Sequence, residues 1–230
     1  MMQRTEHDSH TTDGHIAFGK YLEQRASMAG SARTQSLSIA LYRLLSGGKP
    51  VSADQLGPAC GVSGEDAVRL LLEFPLTTMA LDDRRAIVAF GGLSIVPTHH
   101  RFVTKDAELF TWCVFDALFL PEILGQSATL TTHCPGSGAE LTVELDPGPV
   151  RAIRPSSYVV SIVAPDAEAC CKDVRKAFCN HVNLFRDHEA FRAWSNGRRD
   201  VGSVTIQEAQ HFARKRNALR YPDIDLGTGG

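Results

Sequence analysis

The sequence predicts an α+β protein in which an N-terminal, winged-helix-like three-helix unit precedes a second unit built from an antiparallel sheet flanked by helices. Three observations carry this. Three short helical patterns with cap signals follow one another before any strand-like run. The strand-like runs after them are separated by turn and hairpin signals such as "DDR", "GG" and "PGSG". No strand-helix-strand rhythm repeats along the chain, which argues against a parallel sheet.

Residues 1–34 are rich in Ser, Thr, Gly and His and show little periodic hydrophobicity beyond "IAFGKYL", so they are expected to form a flexible leader with at most one short helix. His7, His10 and His15 are irregularly spaced in this polar stretch and are expected to be solvated rather than metal-bound. From Gln35, "SLSIALYRLLSGG" reads as an amphipathic helix ended by two glycines. Ser52 with Gln55 has capping-box spacing and opens a helix that stops at Gly61; Ser63 with Asp66 opens a third, "AVRLLLEF", running to Pro75. "LTTMAL", "RAIVAF" and "LSIVPTHHRFVT" then read as strands, completing a winged-helix-like unit over 35–104.

The second unit spans 105–218. "KDAELFTWCVFDALFLPEILG" is expected to be a helix entered near Asp106 and closed by Pro121. "SATLTTHC" and "AELTVEL" alternate around "PGSG" as a hairpin, and "YVVSIVAP" is a further strand. "DAEACCKDVRKAFCNHVNLF" reads as one helical segment from Asp166, and "TIQEAQHFARKRN" as a helix capped by Thr205 with Glu208. Residues 219–230 are left as a tail.

With 230 residues, 43% of them hydrophobic, the chain can bury a large core. Its 24 basic and 26 acidic residues give a net charge of −2, so nothing global attracts nucleic acid or a membrane. The third helix offers Glu65, Asp66 and Glu73 against a single Arg69, which a duplex would repel, so a scaffold role is expected for the helical unit. The N-terminus lacks the apolar centre of a secretion signal and no apolar run is long enough for a membrane span, so a cytoplasmic location is expected. The six cysteines (60, 113, 134, 170, 171 and 179) are then expected to be reduced thiols.

Chemistry concentrates in "TWCVFDALF", residues 111–119. Cys113 alone passes for a small hydrophobe, but an ionisable Asp116 among Trp112, Phe115, Leu118 and Phe119 costs several kcal/mol unless compensated. One reading is structural: a buried thiol beside a carboxylate that caps something nearby. The other is a proton shuttle, in which Asp116 takes a thiol proton or, with its pKa raised by burial, returns one to a leaving group. A second thiol, Cys179 in "KAFCNHVNLF", also sits among apolar residues, and two thiols with an acid would suit a soft metal ion. Structural zinc usually needs a C-x2-4-C pair, which is absent. On one continuous helix, Cys170 and Cys171 would point roughly 180° and 80° away from Cys179.

"LFTWCVFDALFLPEILGQSATLTTHC", followed by "VRKAFCNHVNLF" and "AW", resembles the organomercurial lyases (alkylmercury lyases) of bacterial mercury resistance and detoxification, from about residue 36 to 218. The resemblance implies a winged-helix-like N-terminal domain, an α+β catalytic domain, and cleavage of the carbon–mercury bond by protonolysis to a hydrocarbon and Hg(II). Cys113 and Cys179 match the mercury-binding cysteines of the family and Asp116 matches the acid that delivers the proton. It further implies no organic cofactor, cytosolic thiols as carriers of the organomercurial substrate, and a mercuric reductase as acceptor of Hg(II). Asn180 departs from those relatives that carry a cysteine there, which bears on product release. Cys134 also matches a family cysteine and is read as structural, Trp112 as packing beside the site, and His181 as pointing away from it. Two other readings compete: a winged-helix regulator that binds Hg(II) or a related thiophilic ion without catalysis, and a redox sensor using Cys113 and Cys179, which would need an exposed low-pKa thiol.

Overall fold

The computed structural model describes residues 16–24, 30–148, 153–165, 167–198 and 200–227. His7, His10 and His15 lie outside them. The leader contributes a helix, α1, at 16–24, and it is not detached from the protein. Phe18, Tyr21 and Leu22, spaced three and four apart on one helical face, are all buried, Phe18 completely. The Phe18 ring stacks on Phe178 at 6.0 Å and meets Phe115 edge-on at 5.4 Å, so this stretch closes over the same aromatic cluster that surrounds Cys113 and Cys179. Phe18→Ala should therefore destabilise the chain by about 3 kcal/mol, the usual cost of emptying a buried phenyl site, measurable as a lower urea midpoint.

Three helices follow: α2 (Ala32–Leu45), α3 (Ala53–Ala59) and α4 (Gly64–Leu71). Their starts follow from capping. Ser31 accepts the Thr34 amide, Ser52 and Gln55 form the reciprocal box, and Ser63 accepts the Asp66 amide. α2 begins three residues before the expected Gln35 because Ser31 supplies the cap. Leu37, Leu41 and Leu45 on α2 and Leu56 on α3 have no exposed surface and tie the helices to one core.

One antiparallel sheet of seven strands, in the order β1-β2-β3-β5-β4-β6-β7, comprises β1 (Met79–Leu81), β2 (Ile87–Phe90), β3 (Leu93–Ser94), β4 (His100–Thr104), β5 (Glu108–Thr111), β6 (Ala128–His133) and β7 (Glu140–Leu145). It runs without interruption across residue 104. A second sheet, β10-β8-β9, is built from β8 (Val159–Ile162), β9 (Leu184–Phe185) and β10 (Gly202–Thr205). The helices accompanying the sheets are α5 (Val114–Leu124), α6 (Ala167–Lys172), α7 (Val174–Ala177), α8 (His188–Ser195) and α9 (Ile206–Arg220). α9 opens on the expected Thr205–Glu208 box. Asn217 then clamps it to α5, donating to the Phe119 carbonyl at 3.0 Å and to Glu122 at 2.8 Å.

Three local expectations are corrected. The helix expected from Asp106 starts at Val114, because "ELFT" pairs as β5 with β4 and β3. It also runs through Pro121 and ends at Gly125, whose left-handed backbone (φ 65°) terminates it. The expected strand "LSIVPTHHRFVT" is two strands, since Ser94 Oγ bonds both the amide and the carbonyl of Val96 just before Pro97, turning the chain. The segment from Asp166 is broken rather than one helix. Asp173 caps a fresh turn, Cys179–His181 is a single 3-10 turn, and Leu184–Phe185 is strand.

Candidate active site

Cys113 and Asp116 meet at the start of a helix, not inside one entered near Asp106. β5 delivers the chain to Trp112, whose amide donates to the Gly92 carbonyl at 2.9 Å, and Thr111 Oγ1 donates to the Cys113 carbonyl at 2.9 Å. Cys113 is the extended N-cap of α5, and its amide donates to Asp116 Oδ2 at 2.9 Å. The carboxylate occupies the acidic position of a capping box, where helix-end amides favour negative charge.

Cys179 arrives from the far side of the fold on its 3-10 turn. The Val182 amide donates to the Cys179 carbonyl at 3.2 Å, and the Val114 amide donates to the Val182 carbonyl at 3.4 Å. The turn carrying the second thiol is thereby fastened to the first residue of α5. Sγ of Cys113, Sγ of Cys179 and a carboxylate oxygen of Asp116 all lie within 4.8 Å of one another. Sulfur–metal bonds of about 2.3 Å, as in zinc thiolates, nearly span that distance, and a larger ion spans it more easily. The three residues are buried, at 0%, 4% and 7% exposure for Cys113, Cys179 and Asp116 respectively.

Burial shapes the charges. Desolvation pushes Asp116 up from 3.8 to about 6, against hydrogen bonds from the Cys113 thiol and amide and the positive charges of Arg216 and Arg175. The Cys113 thiol is driven well up by desolvation, then by its contact with Cys179 and by the charge of Asp116. Its hydrogen bond to Cys113 pulls Cys179 down, but burial and Asp116 outweigh this and the net shift is upward. The resting pair is therefore protonated thiols beside a carboxylate that titrates near neutrality, an arrangement that can accept and return one proton.

Two spaces meet the site. A cavity of about 130 Å³ is walled by Phe74, Phe90, Phe115, Phe119 and Phe178, with Asp116, Cys179, Trp112, Arg216 and Arg220 among its lining. An apolar cavity of roughly 150 Å³ holds a benzene molecule, so a phenyl or small alkyl group is the right size. An open groove of about 800 Å³ lies on the other side, again reaching Trp112 and Cys179. Cys113 lines neither space.

The remaining cysteines stand apart from this cluster. Cys134 is buried where β6 leaves for β7; burial would raise its thiol, but hydrogen bonds from Ser137 and the backbone of Arg186, Gly136 and Ser137 lower it overall. Cys170 is buried with its sulfur 3.5 Å from the Tyr21 hydroxyl, Cys171 is exposed, and Cys60 is half-buried. His181 turns its Nε2 toward the Lys176 carbonyl at 3.1 Å. Sequence reasoning missed three residues. Gly92 packs so closely on Asp116 that any Cβ there would overlap the carboxylate. Arg175 lies 4.1 Å over the Trp112 ring, and Arg216 lies 3.9 Å over Phe119. Arg216 was legible as a charge next to the buried stripe Ala209, Ala213 and Asn217 of α9; "GG" at 91–92 read only as a turn.

Residues 93–217, more than half of the chain and all three site residues, match the family profile MerB, described as alkylmercury lyase. The chain is 30% identical to an alkylmercury lyase of Staphylococcus epidermidis over 92% of its own length and 95% of that protein. It is 35% identical to an alkylmercury lyase of Streptomyces lividans over 76% of its length and 78% of the relative. The chain belongs to the alkylmercury lyase family. Among solved structures, one described as the mercury-bound form of MerB2 superposes with a TM-score of 0.68 over 89% of this chain and 99% of that one, at 19% identity, a likeness of fold. Membership of the alkylmercury lyases favours an enzyme over the regulator reading, and gives the mixed helix and antiparallel-sheet architecture a known counterpart.

Proposed function

We propose that the protein cleaves the carbon–mercury bond of alkyl- and arylmercury compounds with Cys113, Asp116 and Cys179 as its reacting groups. The observation that carries this is the cluster of two buried sulfurs and one carboxylate beside a benzene-sized apolar cavity. Cys179 makes first contact, because it lines both spaces whereas Cys113 lines neither. Its sulfur bonds the mercury of R–Hg–SR′, and its proton leaves with the carrier thiol R′SH. Cys113 binds next and passes its proton to Asp116. With both thiolates on mercury pushing electron density toward carbon, Asp116 protonates that carbon, the carbon–mercury bond breaks, R–H departs, and Hg(II) stays between the two sulfurs. The apolar wall accepts R and keeps the acid protonatable.

Mercury is substrate here, and the reaction as written needs no organic cofactor. Cytosolic thiols are the natural carriers, and a mercuric reductase is a fitting acceptor of the ion. Among the described residues no helix is long and apolar enough to cross a membrane, and a cytoplasmic setting suits thiol carriers. A winged-helix-like scaffold within 35–104 is supported by the packing of α2–α4 followed by the β1–β2 hairpin, and a catalytic part within 105–218 by the placement of all three proposed reacting groups there, the two sharing one sheet in which β3 and β4 pair with β5 and β6.

The test is benzene release from phenylmercury with one Hg(II) retained per chain. Cys113→Ala and Cys179→Ala should each lower release at least a hundredfold. Undiminished release in both variants would refute the assignment.

A further inference from the structure

Cys179 is the one reacting group that borders both spaces, and the two differ in character. Asp116 borders only the aromatic cavity. Most of the residues along the open groove are polar, and they include His99, Arg101, His133 and Arg175 against one carboxylate, Glu140. Arg101 is engaged by Glu108 at 2.5 Å, but no ion pair to Arg175 is found among the described residues. Arg175 stands on α7 four residues before Cys179 and lies over Trp112, which the two spaces share. Trp112 itself is 8% exposed, and its indole Nε1, a buried donor, meets no acceptor among the described residues. A mercury ion held by two thiolates is best drawn off by other soft sulfur ligands. The groove gives an incoming thiol an approach to Cys179 separate from the aromatic cavity that takes R.

We propose that this groove is a docking site for a small anionic thiol, one bearing carboxylates, which exchanges with Cys179 on mercury. The volume, about 800 Å³, falls within the range of small-molecule sites. The carboxylates face Arg175 and the imidazoles, with the Trp112 indole N–H as a further donor. The thiol sulfur reaches the Cys179 side of the ion. In release, R′S⁻ bonds mercury as the Hg–S(Cys179) bond breaks and Cys179 takes the proton that R′SH gave up; a second R′SH then displaces Cys113 in the same way. The products are Hg(SR′)₂ and two cysteine thiols. The same groove, run in reverse, seats the carrier half of R–Hg–SR′ while R enters the aromatic cavity, so the two halves of the substrate separate at Cys179. This rests on the proposed retention of Hg(II) by Cys113 and Cys179.

The experiment loads the full chain with one Hg(II). It then follows mercury release by mercaptosuccinate, 2-mercaptoethanol and cysteamine at equal thiolate concentration and low salt. Mercaptosuccinate should saturate and act at least tenfold faster than cysteamine, and added salt should shrink this advantage. Arg175→Gln and His133→Glu should each cut it at least threefold. Retention of mercury with release blind to thiol charge, or with an advantage unchanged in both variants, overturns the groove alone. Absence of retention in the wild type overturns the site reading and the groove with it. If a protein dithiol outpaces every small anionic thiol and only its rate responds to the two variants, the groove belongs to a protein partner and the proposal fails.

Discussion

Asp116→Asn is expected to slow hydrocarbon release by about a thousandfold or more and, at the same time, to make the folded chain harder to unfold above pH 6. Asn keeps an oxygen to accept the Cys113 amide, now bound at 2.9 Å, so the start of α5 survives. It cannot carry a proton to carbon. The stability gain follows from linkage. The folded-state pKa of Asp116, about 6, lies above the unfolded value of 3.8, so the folded chain binds the extra proton between these values. The favourable contribution is complete below pH 3.8 and is lost as pH rises through 6. Above that pH the wild type carries a penalty on the order of 3 kcal/mol, because each pH unit separating the folded and unfolded values is worth about 1.36 kcal/mol. Urea unfolding at pH 7.5 should favour the variant by a sizeable part of that amount, with the difference fading toward pH 4. A variant that releases benzene at the wild-type rate would remove Asp116 from the proton path. A variant less stable than wild type at pH 7.5 would show that its tether, not its charge, dominates.

Gly92→Ala is expected to be nearly as damaging to activity although the residue supplies no reacting group. Its φ of 102° is a left-handed conformation that alanine resists, and the added Cβ would overlap Cβ, Cγ and Oδ1 of Asp116. Either the carboxylate moves or the β2–β3 turn does, and the turn also holds the Trp112 amide through the Gly92 carbonyl. Misplacing a reacting group by about 1 Å typically costs a hundredfold in rate, and overpacking adds about 1–3 kcal/mol of destabilisation. Gly125→Ala is the matched control. That position also has positive φ (65°), but a Cβ there meets nothing within 4 Å, so stability should fall modestly and activity should hold. Equal activity loss at both glycines would mean that backbone strain, not the carboxylate contact, is responsible.

The three residues proposed to react, which the structure brings into one cluster, stood out in the sequence because an acid in an aromatic run is anomalous and because two distinctive segments occur in order. The cap signals at Ser52, Ser63 and Thr205 placed their helices, since each names a local hydrogen bond that the sequence itself encodes. Other features depend on contacts distant in sequence. "ELFT" became strand because β3 and β4 pair with it, and apolar residues alone do not separate a buried strand from a buried helix. Likewise Gly92 gains its meaning only once the chain folds back on Asp116, and the burial of Phe18 only once Phe115 and Phe178 surround it. The short turn carrying Cys179 was hidden in a helical pattern that Asp173 interrupts with its own cap.

Cys113 and Cys179 come from separate stretches of chain that meet through the Val114–Val182 backbone bond and the Phe115–Phe178 ring contact. A metal seated on both sulfurs would act as a staple, closing a long loop much as a disulfide does and worth roughly 4 kcal/mol on chain-entropy grounds. Each completed turnover would then leave the molecule tighter than it began, and the acceptor must work against that tightening before another substrate can enter.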